Sequence, residues 1–219
     1  MKEKELKDIL RQGALELGVE LDEGAIEKFR VYLRELTTWN KKINLTSIAD
    51  EREIVIRHFL DSLTPWRILK DSGCRTLLDI GSGAGFPGIP LKIAEPGLEV
   101  VLMDAVEKKV NFTRHVIRTL ALSGIRAEKA RVEDPGFIRK YGGHFDCVIS
   151  RAFSGLKKFI HIAEPLCREG GLIVAIKGPG AADELKELKK APEIREIRLP
   201  FSDRTTVILS FKKTGENFL

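Results

Sequence analysis

Cysteine is scarce and poorly placed for cross-links. Cys74, Cys147 and Cys167 are odd in number and widely spaced, so neither a disulfide framework nor a CxxC-type zinc site is expected, and all three read as free thiols. No metal site is expected elsewhere. No apolar stretch reaches the roughly 18 to 20 residues a membrane span needs. Met1-Lys2-Glu3-Lys4-Glu5 opens the chain without an apolar signal core, so a cytoplasmic protein with no membrane partner is expected. Internal repeats and low-complexity linkers are absent too. What is present is ordinary: 219 residues, 43% of them hydrophobic, can bury one substantial core with a small appendage. The formal charge of +5 favours a polyanionic partner, because phosphate contacts release counterions. Paired lysines such as Lys41-Lys42 and Lys108-Lys109 read equally well as solvated faces.

Periodicity divides the chain at about residue 70. Leu6, Ile9, Leu10, Gly13 and Leu17 fall on one helical face, and Ile26, Phe29, Leu33 and Leu36 repeat the pattern after a break at Gly18 to Leu21. Asp50 followed by Glu53 resembles a capping box opening a third helix that buries Val55, Phe59, Leu60 and Leu63. Trp39 to Ser47 reads as a polar, basic loop between the second and third helices, although Trp39 also suits a core. From Thr76 onward, β-branched runs alternate with helical segments. Residues 76–80, 99–103, 126–130, 145–150 and 172–177 read as strands of βαβ units on a parallel sheet. The runs at 193–199 and 205–211 are too close for a parallel crossover and should pair antiparallel. The expected architecture is a helical extension over 1–70 and a doubly wound, seven-stranded Rossmann-like α/β domain over 71–219, ending in an antiparallel hairpin.

The first strand runs into Gly81-Ser82-Gly83-Ala84-Gly85-Phe86-Pro87-Gly88, after which a helix begins around Ile89. Glycines there let the chain turn sharply and let a ligand lie against main-chain N–H groups. Phe86 stands where a dinucleotide fingerprint needs glycine, and the phosphate-loop Lys-Ser/Thr pair is missing. The form is GxGxG with an acid two residues ahead, and it resembles the first motif of the seven-strand S-adenosylmethionine methyltransferases. Asp104 ends the second strand, where a carboxylate accepts ribose hydroxyls; the alternative is a cap for the following helix. Asp79 suits orientation of the loop or of a cofactor ammonium better than general-base work. Val132-Glu133 follows the third strand, where an adenine would lie, although Glu133 also suits a helix start.

Absent motifs narrow the acceptor. Adenine amino methyltransferases carry Asn/Asp-Pro-Pro-Tyr after the fourth strand, and here Ser150-Arg151-Ala152-Phe153 stands there. Cytosine-C5 enzymes need a cysteine nucleophile, but Cys147 lies inside an apolar run and reads as core. A ring nitrogen such as guanine N7 exposes a lone pair and no proton, so its methylation asks for positioning and no dedicated base. Arg151 and Lys177 end successive strands where such folds bind ligands; each suits a phosphate or the target base, or an ion pair with a neighbouring acid. Phe153 suits stacking on an extruded base.

The stretches Asn44-Leu45-Thr46, Arg57 to Leu63, Leu78 to Gly88, Ser150 to Phe153 and Ile176-Lys177-Gly178 together resemble the bacterial RsmG (GidB) family, in order and over most of the chain. The sequence departs from the family at Ala105, where a serine is expected after the acid. The resemblance implies S-adenosylmethionine as cofactor and methyl transfer to N7 of a guanine in 16S ribosomal RNA, as free RNA or within the small ribosomal subunit or its precursor. It further implies that Asp79, Gly81, Gly83, Gly85, Phe86, Asp104, Ala105, Val106, Val132, Glu133 and Arg151 line the cofactor pocket. Asn44, Arg57, His58, Phe153 and Lys177 face the RNA, with Arg151 and Lys177 carrying the catalytic role. His58, on an apolar helical face, reads equally well as a hydrogen-bonded core residue.

A monomer is expected. Two rival functions stand beside this one: a methyltransferase of another RNA, a small molecule or a protein, since fold does not fix substrate, and a non-catalytic RNA-binding module. Deletion of residues 1 to 50 is expected to abolish RNA methylation more strongly than cofactor binding.

Overall fold

The computed structural model describes residues 1–131, 133–151, 153, 155–186 and 188–214. Val132 and Ala152 lie outside the described residues. The chain opens with helices α1 (Glu3–Glu16) and α2 (Glu23–Ile43), followed by α3 (Glu51–Ile54), a π-helical turn (Val55–Leu60), α4 (Asp61–Leu63) and α5 (Trp66–Asp71). Strands and helices then alternate: β1 (Thr76–Ile80), α6 (Gly88–Ala94), β2 (Glu99–Asp104), α7 (Glu107–Thr119), β3 (Ile125–Lys129), α8 (Pro135–Tyr141), β4 (Phe145–Arg151), α9 (Leu156–Ala163) and β5 (Cys167–Lys177). A short α10 (Ala182–Leu185) leads to the hairpin β6 (Glu193–Arg198) and β7 (Thr205–Lys212).

The seven strands form one sheet in the order β3-β2-β1-β4-β5-β7-β6. The first five pair in parallel, and β7 pairs antiparallel with both β5 and β6, as the short hairpin connection requires. Strand order reverses between β1 and β4, and the crevice at such a switch point is where doubly wound sheets bind ligands. The turn after β1 opens there. Alternate strand residues feed the two faces: Leu77, Val100, Leu102 and Ile149 join the core on one side, while Leu78, Val101, Met103 and Val148 join that on the other.

The expected helical faces are buried, with Leu10, Ile26, Phe29 and Leu36 all fully enclosed. Asp22 caps α2 by accepting from Ala25 N–H at 2.6 Å. Three local expectations are corrected. Residues 39–43 complete α2 and are not loop; Trp39 packs against Phe112 (centroids 5.6 Å apart) and His115 (5.1 Å), and this packing outweighs the polar composition. The capping box is half formed: Asp50 accepts from Glu53 N–H at 2.9 Å, but the Glu53 carboxylate turns to Arg57, 3.6 Å away. Finally, β5 begins five residues earlier than expected, where Cys167-Arg168-Glu169-Gly170-Gly171 lacks an apolar alternation to announce it.

The residues before 71 and those after it share one apolar cluster. It contains Leu10, Phe29, Tyr32 and Phe59 alongside Phe86, Phe112 and Ile149. The helices therefore press directly on the turn that follows β1.

Candidate active site

The turn after β1 is anchored from beneath. Gly81 and Ser82 N–H groups donate to the Met103 carbonyl at 2.8 and 3.0 Å, and Gly85 and Phe86 N–H groups donate to the Ser82 carbonyl at 2.8 Å each. Gly81 and Gly83 have φ of +69° and +60°, a region costly for other residues. A Cβ on Gly81 would meet nothing within 4 Å, so the open side of the turn is free for a ligand. At Gly88 the constraint is packing: a Cβ there would lie 3.0 Å from Asp79 Oδ2.

Asp79 is fully buried at the end of β1. Its Oδ2 accepts from Gly88 N–H at 2.8 Å, while Oδ1 has no partner. Burial pushes this carboxyl up to about 7, with the Gly88 bond opposing the rise. An orphaned carboxylate oxygen suits a ligand cation. Asp104, at the end of β2, accepts from Gly83 N–H at 3.0 Å and from Val106 N–H at 2.8 Å. It ties the glycine turn to the start of α7, so the capping alternative holds together with the loop contact. Each oxygen retains a second lone pair for a ribose hydroxyl. Beside it, Val106 is 40% exposed, an apolar side chain left uncovered. Ala105 and Glu133 line a cavity of about 570 Å³ with Lys129, Ala130, Arg131, Asp134 and Pro135. Glu133 approaches Lys158 at 3.6 Å, and the helix-start role falls to Asp134, which accepts from Gly136 N–H at 2.8 Å. An orphaned acid, an open glycine turn, a ribose-placed carboxylate and an uncovered apolar side chain fit S-adenosylmethionine.

A second cavity, about 670 Å³, lies where β4 and β5 end and β7 begins. Arg57, His58, Arg151, Phe153 and Lys177 all line it. Asn44 does not; it is exposed and closes α2 at φ +48°, a conformation asparagine tolerates. Phe153 rests against Phe159 with centroids 5.6 Å apart. Three of the four cations in the wall have a carboxylate: Arg57 has Glu53, Arg151 has Asp61 at 3.2 Å, and Lys177 has Glu184 at 3.0 Å, while Arg204 makes no ion pair among the described residues. Lys177 also donates to the Phe153 carbonyl at 2.8 Å.

Arg151 lies over the Phe86 ring, its guanidinium carbon 4.9 Å from the centroid. It donates to the Arg57 carbonyl and to Asp61 Oδ2, both at 3.2 Å, and Asp61 Oδ1 accepts from the Thr206 hydroxyl at 2.5 Å. A π turn shifts the hydrogen-bond ladder of a helix by one residue, and the Arg57 carbonyl within this one serves the guanidinium. His58 also stacks on Phe86, with ring centroids 4.8 Å apart. Its Nδ1 lies 3.2 Å from Arg151 Nη2, which can only donate, so the proton sits on Nε2 and is donated to Thr46 Oγ1 at 2.7 Å. Burial and then the Arg151 charge lower His58 to about 3. His58 is thus both a hydrogen-bonded, half-buried residue and part of the cavity wall.

Sequence reasoning missed Asp61, Thr206, Thr46, Glu184 and Tyr32. Asp61 lay inside the stretch Arg57 to Leu63, but its partners come from β4 and β7, which local spacing does not reveal. Asn40 was hidden in the misread loop; its Oδ1 accepts from Leu45 and Thr46 N–H at 2.7 and 2.8 Å and sets the path of the chain beneath His58.

The family described as rRNA small subunit methyltransferase G matches residues 25–206. The ribosomal RNA small subunit methyltransferase G of Geobacter metallireducens is 46% identical over 96% of this chain and 98% of its own. That of Acetivibrio thermocellus is 40% identical over all of this chain and 95% of its own. Among solved structures, a SAM-dependent methyltransferase from Aquifex aeolicus superposes with a TM-score of 0.53 at 17% identity, covering 72% of this chain and 91% of its own, which speaks for the fold.

Proposed function

The chain belongs to the rRNA small subunit methyltransferase G family, and from that premise we propose how its residues divide the work of an S-adenosylmethionine-dependent methyl transfer to N7 of a guanine in 16S ribosomal RNA. The observation that carries this reading is the pairing of an open glycine turn at the switch point with a cation-lined cavity beside Phe86 and Arg151.

Asp79, Gly81, Gly83 and Gly85 hold the amino-acid end of the cofactor, Asp104 its ribose, and Ala105, Val106 and Glu133 its adenine. S-adenosylmethionine supplies, when bound, a methyl group on a sulfonium. The protein's task is to position the acceptor. Arg151, spread on Phe86 and held by Asp61, His58 and the Arg57 carbonyl, orients the purine at the edge of the turn; Lys177 and Arg57 take the phosphates around it, and Phe153 stacks on the base. N7 carries no proton, so no base is required, and His58 stays neutral.

Charge balance follows the same logic. The methylated purine is cationic, and a wall of bare Arg57, Arg151 and Lys177 would oppose its formation. Pairing these three with Glu53, Asp61 and Glu184 lowers the positive charge they turn to the purine while leaving geometry for hydrogen bonds, and Arg204 stands in the same wall outside these pairs. Phosphates then bind by competing with these acids, and the RNA interaction weakens with salt.

The small ribosomal subunit or its precursor is the proposed physiological substrate, and a monomer in the cytoplasm the working form. Among the described residues no helix is long and apolar enough to cross a membrane. Incubation with total RNA and labelled cofactor, followed by mass spectrometry of the nucleosides, tests the acceptor: 7-methylguanosine is expected, and label in N6-methyladenosine or 5-methylcytidine refutes it.

A further inference from the structure

We propose that Tyr32, in the helical extension, is a positioning residue for the cofactor turn: its hydroxyl holds the Ala84 carbonyl and so fixes the Gly81 to Gly85 conformation that takes up S-adenosylmethionine. The proposal rests on the reading of that turn as the cofactor site.

Tyr32 is fully buried in the middle of α2. Its ring packs on both Phe59 and Phe86, with centroids 5.1 and 5.5 Å away, and these two rings lie 6.0 Å from each other. The hydroxyl donates to the carbonyl of Ala84, 52 residues further along the chain and itself 4% exposed. Burial raises the phenol well above its ordinary value, so the donor keeps its proton at any working pH. Glycine at 85 permits the approach. A Cβ there would stand 2.9 Å from the Tyr32 oxygen, and the φ of +98° favours glycine independently.

The other anchors of the turn come from the sheet or from the turn itself: Met103 holds Gly81 and Ser82, Asp104 holds Gly83, and Ser82 holds Gly85 and Phe86. At Ala84 the anchor is a side chain from the extension. A buried carbonyl deprived of its donor is driven to rotate toward water, and the glycine next to it makes that rotation easy. Only the anchored conformer presents the open face described above, so affinity falls in proportion to its population. One net hydrogen bond shifts the balance between the two conformers about fivefold, and that factor is the ceiling on the loss of affinity. The helices before residue 71 thereby serve the cofactor as well as the fold.

Tyr32→Phe keeps the ring and removes the donor. Calorimetric titration should show the cofactor dissociation constant raised about two- to fivefold, amide exchange at residues 83–86 should quicken, and kcat at saturating cofactor and the KM for RNA should stay near wild type. A folded variant with lower thermal stability but unchanged affinity and exchange overturns the proposal, because that is what a merely structural tyrosine gives. Phe59→Leu, which loosens the same packing and keeps the hydroxyl, should lower stability without shifting the dissociation constant; an equal loss of affinity there also counts against Tyr32. If Tyr32→Phe does not fold, the wild type decides: its Tyr32 hydroxyl proton should exchange slowly and more slowly still with cofactor, and exchange indifferent to cofactor refutes the claim. In wild type, cofactor must move the Gly81 and Gly83 amide resonances. Failure there removes the site reading itself, whereas movement there with an unaffected Tyr32→Phe removes the tyrosine alone.

Discussion

Replacing Asp104 by Asn is isosteric and yet should cost more than its size suggests. The carboxylate accepts one backbone N–H on each oxygen, from Gly83 at 3.0 Å and from Val106 at 2.8 Å. An amide offers one oxygen and one NH2, so one of the two N–H groups must face a donor. Leaving a buried donor unpaired costs about 1–3 kcal/mol, which for a chain of this length lowers the melting temperature by roughly 2–12 °C. The cofactor loses separately. Charge-assisted bonds from ribose hydroxyls to a carboxylate are worth about 1.5–3 kcal/mol, so affinity should fall about tenfold to over a hundredfold. Asp104→Ala, which admits water to both N–H groups, should lose similar affinity with less damage to stability. Calorimetric titration and thermal melts of both variants separate the two effects. Wild-type affinity in a folded Asp104→Ala protein would refute the ribose assignment.

Asp79 is held near 7 by burial, so its protonated form favours the fold: the stabilisation is full below the ordinary value of 3.8 and is lost as pH rises through about 7. Melts from pH 4 to 8 should therefore show cofactor-free wild type losing stability relative to Asp79→Asn, and parallel profiles would contradict the burial argument. His58, lowered to about 3, stabilises the fold above its unfolded value of 6.5, and this contribution is lost as pH falls from there toward 3. Its imidazole resonances should not titrate between pH 8 and 5; a midpoint near 6.5 would show that the Arg151 contact is not kept in solution. Deleting residues 1 to 50 removes Leu10, Phe29, Tyr32 and Leu36 from the shared core. Loss of the folded state is now expected in place of a selective loss of RNA methylation, and a truncated protein that melts cooperatively and binds cofactor would contradict it.

The sheet was legible because its signals are local. Val100 to Met103 and Val148-Ile149 are continuous apolar runs with turns at both ends, and the five-residue gap before Thr205 leaves antiparallel pairing as the available solution. The glycine turn was legible for the same reason, since Asp79 to Gly88 carries strand, turn and helix start in one stretch. Arg151 and Lys177 were found by their place at strand ends, but their partners were not. Asp61 meets Arg151 across 90 residues and Thr206 across 145, and neither periodicity nor spacing records such a meeting. Tyr32 was not legible and Trp39 only as an alternative to loop, because each is an amphipathic ring whose burial is decided by what packs on it, Phe59 and Phe86 in one case, Phe112 and His115 in the other. The π turn at Val55 to Leu60 left no mark in an apolar pattern that an α-helix satisfies equally well.

The central claim is that this site delivers a methyl group to one ring nitrogen of one guanine without a general base. N7-methylation leaves a cationic purine with a weakened glycosidic bond, so ribosomal RNA treated with the protein and S-adenosylmethionine, then reduced and exposed to aniline, should break at a single guanine of the 16S molecule. Arg151→Ala should remove that cleavage while cofactor titration still shows binding. Transfer of label without any aniline-sensitive site, or cleavage undiminished in the Arg151→Ala protein, would contradict the account.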